Sequence, residues 1–190
     1  MTGNDPNDAN VLADSTFQQG WVQHLVSRWG TAANGGLRYY LFDNEPSIWH
    51  ATHRDVHSTG ATMDEVKNKL IDYASKIKAV DSSALVVGPE EWGWSGYFYS
   101  GYDQQYGSLH GWSNLPDRQS HAGWDYLPWL LDQLRQNNAS TGQRLLDVFS
   151  VHYSTTMATN PPSATPASPP ARRTRTMWPH SPRSVRRTRH

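Results

Sequence analysis

The sequence contains no cysteine, no long apolar run and no acidic residue after Asp147. Without cysteine, neither a disulfide framework nor a thiolate metal site can form. No stretch is apolar enough to cross a membrane, and the first residues lack the basic start and the apolar run of a signal peptide. We therefore expect no membrane partner and no signal peptide in this chain.

The balanced charge of the chain hides a segregation of the two signs. The 190 residues include 17 acids and 17 Lys and Arg, but residues 154–190 hold 7 Arg and no acid. That segment has no hydrophobic period and is rich in Ser, Thr, Pro and Ala, so we expect a disordered Pro/Arg-rich tail. Arginine without lysine raises the hypothesis that a shifted reading frame encodes it. Scattered arginines could bind nucleic acid by counterion release, but without a folded platform we expect no such partner.

The residues before the tail alternate between helical and strand patterns. Thr16 with Gln19, and Thr62 with Glu65, are capping boxes that predict the starts of two amphipathic helices, and Gly30 predicts the end of the first. Such alternation predicts an α/β fold of about three parallel βα units. Strands are predicted at 37–42, 84–88 and 147–153, a third helix within 124–136, and a long functional loop at 89–120. The nearly unbroken apolar run of the first strand predicts that it is buried on both faces of the sheet.

The segment Asp43-Asn44-Glu45-Pro46 places a carboxylic acid where the first strand ends. Pro46 cannot donate to a strand ladder and biases the preceding residue toward extended geometry, so Glu45 should lie at the carboxyl end of the strand. Chemistry is usually found at that edge of a parallel sheet. A carboxyl group partly desolvated by aromatic residues there can act as a general acid or base. The alternative is that Asn-Glu-Pro is only turn chemistry.

Other polar and aromatic residues follow the second and third strands. Glu90 and Glu91 could each supply a second carboxylate, or could be ligands or a solvated pair. Trp92 and Trp94 offer flat faces on which sugar rings can stack, although they could equally pin their own loop. His152 and Tyr153 end the third strand at the same edge as Glu45, which favours a functional role for both.

Two clusters could suggest a metal, and we expect neither to bind one. Histidines at spacings of three and four would line one face of a helix, but their segment has no helical stripe. The Asn and Asp cluster near the start lacks the spaced ligands of an EF-hand. The sequence indicates no cofactor and no oligomeric state. The residues concerned are His50, His53 and His57, and Asn4, Asp5, Asn7 and Asp8.

From about Gly3 to Tyr153 the chain resembles glycoside hydrolase family 44, whose members are endo-acting β-1,4-glucanases and xyloglucanases. The resemblance is carried by "DPND", "WVQHLVSRWGTAANGG", "YYLFDNEPSIWHATHRDVH", "VVGPEEWGW" and "DVFSVHY". It implies that residues 1–153 are part of a (β/α)8 TIM barrel, with strands four to six present. It also implies an extracellular enzyme acting on a β-glucan polysaccharide.

The resemblance implies roles for individual residues as well. Glu45 matches the family's acid/base at the end of the fourth strand, and Asn44 matches a residue that holds a substrate hydroxyl. His152 and Tyr153 match the end of the sixth strand. The retaining mechanism needs a second carboxyl as nucleophile, which the family places after a seventh strand that we do not find here. We therefore expect the isolated chain to be inactive; the alternative is a carbohydrate-binding remnant that stacks sugars on its aromatic residues.

Overall fold

The computed structural model describes Asp5 and residues 9–153, so the expected tail and the other residues of the Asn and Asp cluster lie outside its described part. Short 3-10 helices occur at Ala32–Asn34 and Pro46–Ile48. The main elements, in chain order, are α1 (Ser15–Trp29), β1 (Tyr39–Leu41), α2 (Trp49–Thr52), α3 (Met63–Val80), β2 (Leu85–Glu91), α4 (Gly93–Phe98), α5 (Gly101–His110), α6 (Pro116–Ser120), α7 (Tyr126–Thr141) and β3 (Val148–Val151).

The three strands form one parallel sheet in the order β1-β2-β3. Helices connect the strands, and the prediction of an α/β fold with parallel strands is confirmed. Helices α1 and α3 pack over Tyr40 and Ala84, and α3 packs against α7 through a larger apolar cluster. The most buried members of that cluster are Ala61, Met63, Val66, Leu70, Tyr126, Leu127 and Leu130.

Strand β1 is less buried than its apolar sequence predicts. Tyr40 is buried, but Tyr39 and Leu41 are 48% and 65% exposed. Helices α1 and α3 cover only the face that carries Tyr40, and β1 lies at the edge of the described sheet. The prediction of a strand buried on both faces is therefore wrong for this structure.

Helix caps were predicted with mixed success. Thr62 accepts a hydrogen bond from the backbone N–H of Glu65 and begins α3, as predicted. In α1 the capping residue is Asp14, which accepts from the N–H of Phe17, so the predicted start at Thr16 is wrong. Gly30 ends α1 at φ 83°, a conformation that favours glycine.

The segment predicted as a long loop, 89–120, contains the end of β2 and three short helices instead. Two glycines of this segment allow close packing. A Cβ on Gly96 would lie 2.7 Å from Oγ of Ser47, and one on Gly101 would lie 2.9 Å from the backbone nitrogen of Ala61. These glycines let α4 and α5 approach the turn that follows β1.

A buried ion pair ties the amino-terminal ends of β2 and β3 to α3. Nζ of Lys78 lies 2.6 Å from Oδ2 of Asp147 and 2.7 Å from the carbonyl oxygen of Ala84, and the same Oδ2 accepts from the N–H of Val86. Both charged groups have hydrogen-bond partners, as a buried pair requires. Among the described helices, none is both long and apolar enough to cross a bilayer.

Candidate active site

Glu45 lies in the turn between β1 and the Pro46–Ile48 3-10 helix. Its backbone has φ 54°, in the left-handed region that side-chain-bearing residues rarely adopt, so the extended geometry predicted from Pro46 is wrong. The turn is held by hydrogen bonds from the N–H of Glu45 to the carbonyl of Glu90, at 2.9 Å, and from the N–H of Ile48 to the carbonyl of Glu45, at 3.0 Å. Glu45 is therefore fixed against the end of the neighbouring strand.

Glu90 is an extra residue in the ladder between β2 and β3. Pro89 pairs with Ser150 and Glu91 pairs with Val151, so two steps on β2 face one step on β3. Glu90 also has a left-handed backbone, with φ 53°. Bulges of this kind re-aim a side chain and occur often beside active sites. Left-handed backbone at two non-glycine residues costs about 1–3 kcal/mol each, and here both lie at one edge.

His152 follows β3 and lies between these two carboxylates. Its Nδ1 is 2.6 Å from Oε1 of Glu45, and its Nε2 is 3.4 Å from Oε2 of Glu90. The backbone of His152 is held on both sides, because its N–H donates to the carbonyl of Glu91 and its carbonyl accepts from the hydroxyl of Tyr97. The three strand ends thus bring together one imidazole and two carboxylates.

The two carboxylates share one possible cationic partner. The side chains of Glu45 and Glu90 are 17% and 16% exposed, whereas that of His152 is 41% exposed. Within residues 9–153, neither carboxylate contacts a Lys, an Arg or any side-chain donor other than this imidazole. Partly desolvated carboxylates with so little neutralisation are unfavourable for folding and are typical of functional sites.

Glu91 lies beneath this edge and is completely buried. Its Oε1 accepts from the backbone N–H groups of Ser47, at 3.1 Å, and Trp92, at 2.8 Å. Burial raises the pKa of the Glu91 carboxyl to about 7, although these hydrogen bonds oppose the shift. The pKa of the Tyr126 hydroxyl is raised by its own burial and then by the nearby Glu91. Glu91 therefore cannot touch a substrate and instead supports the turn that carries Glu45.

The residues predicted to bind substrate are spread around this edge. His152 contacts Glu45 directly, and Asn44 is exposed beside it, with its carbonyl accepting from Nε1 of Trp49. Tyr153 is 83% exposed. Trp92 is half-buried, while Trp94 is 52% exposed and packs at 5.0 Å against Phe98. Neither Trp92, Trp94 nor Tyr153 makes a hydrogen bond or ring contact with Glu45 in the described part of the chain.

The histidines considered as metal ligands have other contacts. Nε2 of His57 lies 2.8 Å from Oε1 of Glu65, and the ring stacks edge-on against Trp49. Burial, followed by the nearby His57, lowers the pKa of His50, and His53 is exposed. In the described residues, no three His, Asp or Glu side chains are arranged to hold a metal ion.

Sequence reasoning left the two glutamates after β2 as equal alternatives and missed Ser47, Tyr97 and Tyr126. The strand pattern cannot separate Glu90 from Glu91, because the bulge shifts the alternation of side chains by one residue. Ser47 and Tyr126 meet Glu91 only through the packing of α7 on the turn after β1. No spacing in the sequence indicates that contact.

Comparison with known proteins identifies the family. The model of glycoside hydrolase family 44 matches residues 1–156. This chain belongs to glycoside hydrolase family 44. A β-mannanase/endoglucanase A of Caldicellulosiruptor saccharolyticus is 32% identical over 153 residues, and an endoglucanase A of Paenibacillus lautus is 32% identical over 148. These alignments cover 78% and 77% of this chain but only 10% and 19% of the relatives.

Solved structures of the family agree with the fold. The glucanase-xylanase CelM2, from a metagenome library, is 78% identical with a TM-score of 0.78, over 80% of this chain and 30% of that one. A xyloglucanase of Paenibacillus polymyxa, solved with xyloglucan, is 33% identical with a TM-score of 0.61, over 71% of this chain and 25% of that one. The family 44 chain described here thus spans less than a third of these relatives.

Proposed function

We propose that this family 44 chain supplies Glu45 as the general acid/base of a retaining hydrolase that cleaves β-1,4-glycosidic bonds in cellulose-like polysaccharides. The observation that supports this proposal is the placement of Glu45 at the carboxyl edge of the parallel sheet, with Nδ1 of His152 2.6 Å from its Oε1. The relatives named as an endoglucanase, a glucanase-xylanase and a xyloglucanase favour the same substrate class.

The proposed chemistry needs two carboxyl groups. Glu45 donates its proton to the glycosidic oxygen as that bond breaks, while a second carboxylate forms the bond of a glycosyl-enzyme. Glu45 then takes a proton from the water that hydrolyses this intermediate. The two carboxyl groups of a retaining enzyme lie about 5–5.5 Å apart. We assign β1, β2 and β3 to strands four to six of the family barrel and the nucleophile to the strand after them, so the isolated chain should be inactive.

The proposed domain and substrate contacts follow the same assignment. Residues 1–153 are taken as part of the catalytic barrel, which is supported by a family match that ends at residue 156. Asn44, His152 and Tyr153 would contact sugar hydroxyls near the cleaved bond, and Trp92 and Trp94 would stack sugar rings. An extracellular location fits a polysaccharide substrate, and the proposed steps need no cofactor.

A chimera tests the role of Glu45. Residues 9–153 would replace the matching segment of CelM2, which is 78% identical to this chain. We expect hydrolysis of carboxymethylcellulose or xyloglucan by the chimera and a loss of about 10²–10⁴-fold in Glu45→Gln. Aryl cellobiosides with activated leaving groups should lose much less in their first step, because they need no proton donor. Glu65→Gln, which changes a glutamate paired with another histidine, is the matched control.

An active chimera in which Glu45→Gln is as fast as its parent would overturn the assignment of Glu45 as the acid/base. Turnover of polysaccharide by the purified 190-residue chain would overturn the expectation that the isolated chain is inactive, because it would require the nucleophile to be present already.

A second candidate, a carbohydrate-binding remnant, is favoured by the exposure of Trp94 (52%) and Tyr153 (83%). Calorimetry of the 190-residue chain with cello-oligosaccharides distinguishes the two candidates. Binding without hydrolysis, lost in Trp94→Ala, supports the remnant. Absence of binding together with an active chimera supports the incomplete enzyme.

A further inference from the structure

The His152 ring has carboxylate oxygens at both of its nitrogens, at 2.6 Å for Glu45 and 3.4 Å for Glu90. A neutral imidazole has one N–H and one lone pair. With a neutral ring and two ionised carboxylates, one of the two contacts would set a lone pair against a carboxylate oxygen. Both contacts are favourable only when the ring carries a proton on each nitrogen or when one of the two carboxyl groups is protonated. The contact of Glu90 with Nε2 therefore affects whether Nδ1 donates a hydrogen bond to Glu45.

The backbone around the three groups is built to keep this contact. The bulge in β2 and the left-handed φ of 53° aim Glu90 at His152 rather than along the strand. The N–H of Glu45 donates to the carbonyl of Glu90, so the two carboxylate-bearing residues are also joined through the main chain. The position of Glu90 is thus specified by three separate features.

We propose that Glu90 is a positioning residue for Glu45, which acts by holding Nε2 of His152 so that Nδ1 fixes the orientation of the Glu45 carboxyl. This inference rests on the proposed function, since the orientation of Glu45 matters for catalysis only if Glu45 transfers a proton. Glu90 itself need not touch the substrate.

The other ionisable groups near His152 do not take over this role. The Tyr97 hydroxyl, from α4, donates to the backbone carbonyl of His152 and not to its ring. Glu91, the next residue on β2, faces Ser47 and Tyr126 beneath the edge. Within the described residues, only Glu45 and Glu90 contact the ring nitrogens of His152.

The test is nuclear magnetic resonance of the ¹⁵N,¹³C-labelled 190-residue chain, which needs neither substrate nor activity. Long-range ¹H–¹⁵N spectra report which ring nitrogen carries the proton, and the side-chain ¹³C signal of Glu45 reports its carboxyl. In Glu90→Gln we expect a change in which nitrogen of the His152 ring carries the proton, together with a shift of the Glu45 carboxyl signal.

The matched control is Glu65→Gln, which removes the charge from a glutamate 2.8 Å from Nε2 of His57. It should alter the His57 ring and leave His152 and Glu45 unchanged. Should the Gln variant not fold, Glu90→Gly removes the carboxylate while suiting the left-handed backbone, and the same shifts are expected.

Unchanged His152 and Glu45 signals in a folded Glu90 variant would overturn the inference and leave the proposed function standing. A chimera whose hydrolysis does not depend on Glu45 would remove the proposed function but leave a measured coupling between Glu90 and Glu45 intact.

Discussion

Two histidines in residues 9–153 each lie between two carboxylates, and the two sites differ in what else holds those carboxylates. His121, at the end of α6, lies 3.1 Å from Oδ2 of Asp64 and 3.4 Å from Oδ1 of Asp117. Asp64 also binds Lys67, and Asp117 also accepts from the backbone N–H of Met63 at the start of α3. His152 is the only side-chain partner of Glu45 and Glu90 in the described region.

The difference is the one expected if the His121 site stabilises the fold and the His152 site has the proposed catalytic role. The His121 side chain is 12% exposed and joins the starts of α3 and α6, so each polar group there has several partners. The His152 side chain is 41% exposed, its carboxylates are under-neutralised, and both carboxylate-bearing residues have left-handed backbones. A histidine flanked by acids therefore does not by itself indicate a functional site. The two sites are distinguished by the number of other partners that their carboxylates have.

The largest effect should come from breaking the stabilising site. Asp117→Ala leaves the buried backbone N–H of Met63 without its acceptor and removes one of the two carboxylates beside the His121 ring. We expect a loss of about 3–4 kcal/mol in the free energy of unfolding, measured by urea denaturation. Asp132→Ala, which removes a surface pair with Arg135, should leave the midpoint unchanged. A small effect of Asp117→Ala would mean that the two histidine sites do not differ as described.

The next effect concerns Glu91, the buried acid beneath the strand ends that carry Glu45 and His152. Burial raises the pKa of Glu91 from 4.5 to about 7, so the folded chain binds this proton more tightly than the unfolded chain. Stability should therefore be greatest below pH 4.5 for this group and fall as pH rises to about 7, by about 3 kcal/mol in total.

Glu91→Gln should remove that pH dependence while keeping an acceptor for the N–H groups of Ser47 and Trp92. Unfolding curves between pH 4.5 and 7.5 measure the difference, with Asp132→Asn, which changes a surface acid paired with Arg135, as the control that keeps the wild-type slope. Parallel curves for wild type and Glu91→Gln would show that Glu91 does not titrate in this range.

A smaller effect is expected from relieving the left-handed backbone of Ala122, which lies outside the His152 site. Ala122, which is exposed and lies near His121, has φ 56°. Ala122→Gly should stabilise the chain by about 1 kcal/mol, measured by thermal unfolding, and should leave the His152 ring signals unchanged. Destabilisation would indicate that the unfolded-state entropy of glycine outweighs the relief of strain.

The smallest effect on stability is expected at Glu45. Glu45→Gln removes one of two carboxylates that share one imidazole, so the lost contact and the relieved repulsion should nearly cancel, within about 0.5 kcal/mol. Denaturation at constant pH measures this, with Asp117→Ala as the contrasting variant. A loss of more than about 2 kcal/mol would place the His152 site with the stabilising one.

The sequence was most informative where a single residue determines the backbone. Thr62 caps α3 as expected, and Pro46 begins the short 3-10 helix that follows Glu45. The order of strand, Glu45 and turn could therefore be predicted, although β1 already ends at Leu41 and Glu45 is not extended. Partners distant in sequence could not be predicted in this way. The choice between Glu90 and Glu91 depends on a bulge that forms only when β3 pairs with β2.

The predicted loop at 89–120 was an error, because the segment contains α4 and α5. Gly96 and Gly101 lie in these helices, and glycine weakens a helical pattern. Their role is to allow close approach to Ser47 and Ala61, and those contacts depend on tertiary packing. Similarly, the apolar residues of β1 predict full burial, but the described helices cover only the Tyr40 face.

The buried pair of Lys78 and Asp147 sets a limit on how far the chain can be shortened. The two residues are 69 positions apart, and the Lys78 side chain is only 6% exposed. A shortened chain ending before Asp147 would leave an ammonium group in an apolar interior with only the Ala84 carbonyl as a partner. Such a buried, uncompensated charge costs about 3–5 kcal/mol, a large part of the stability of a small domain. Trimming by proteases or by design should therefore leave Asp147 in the chain.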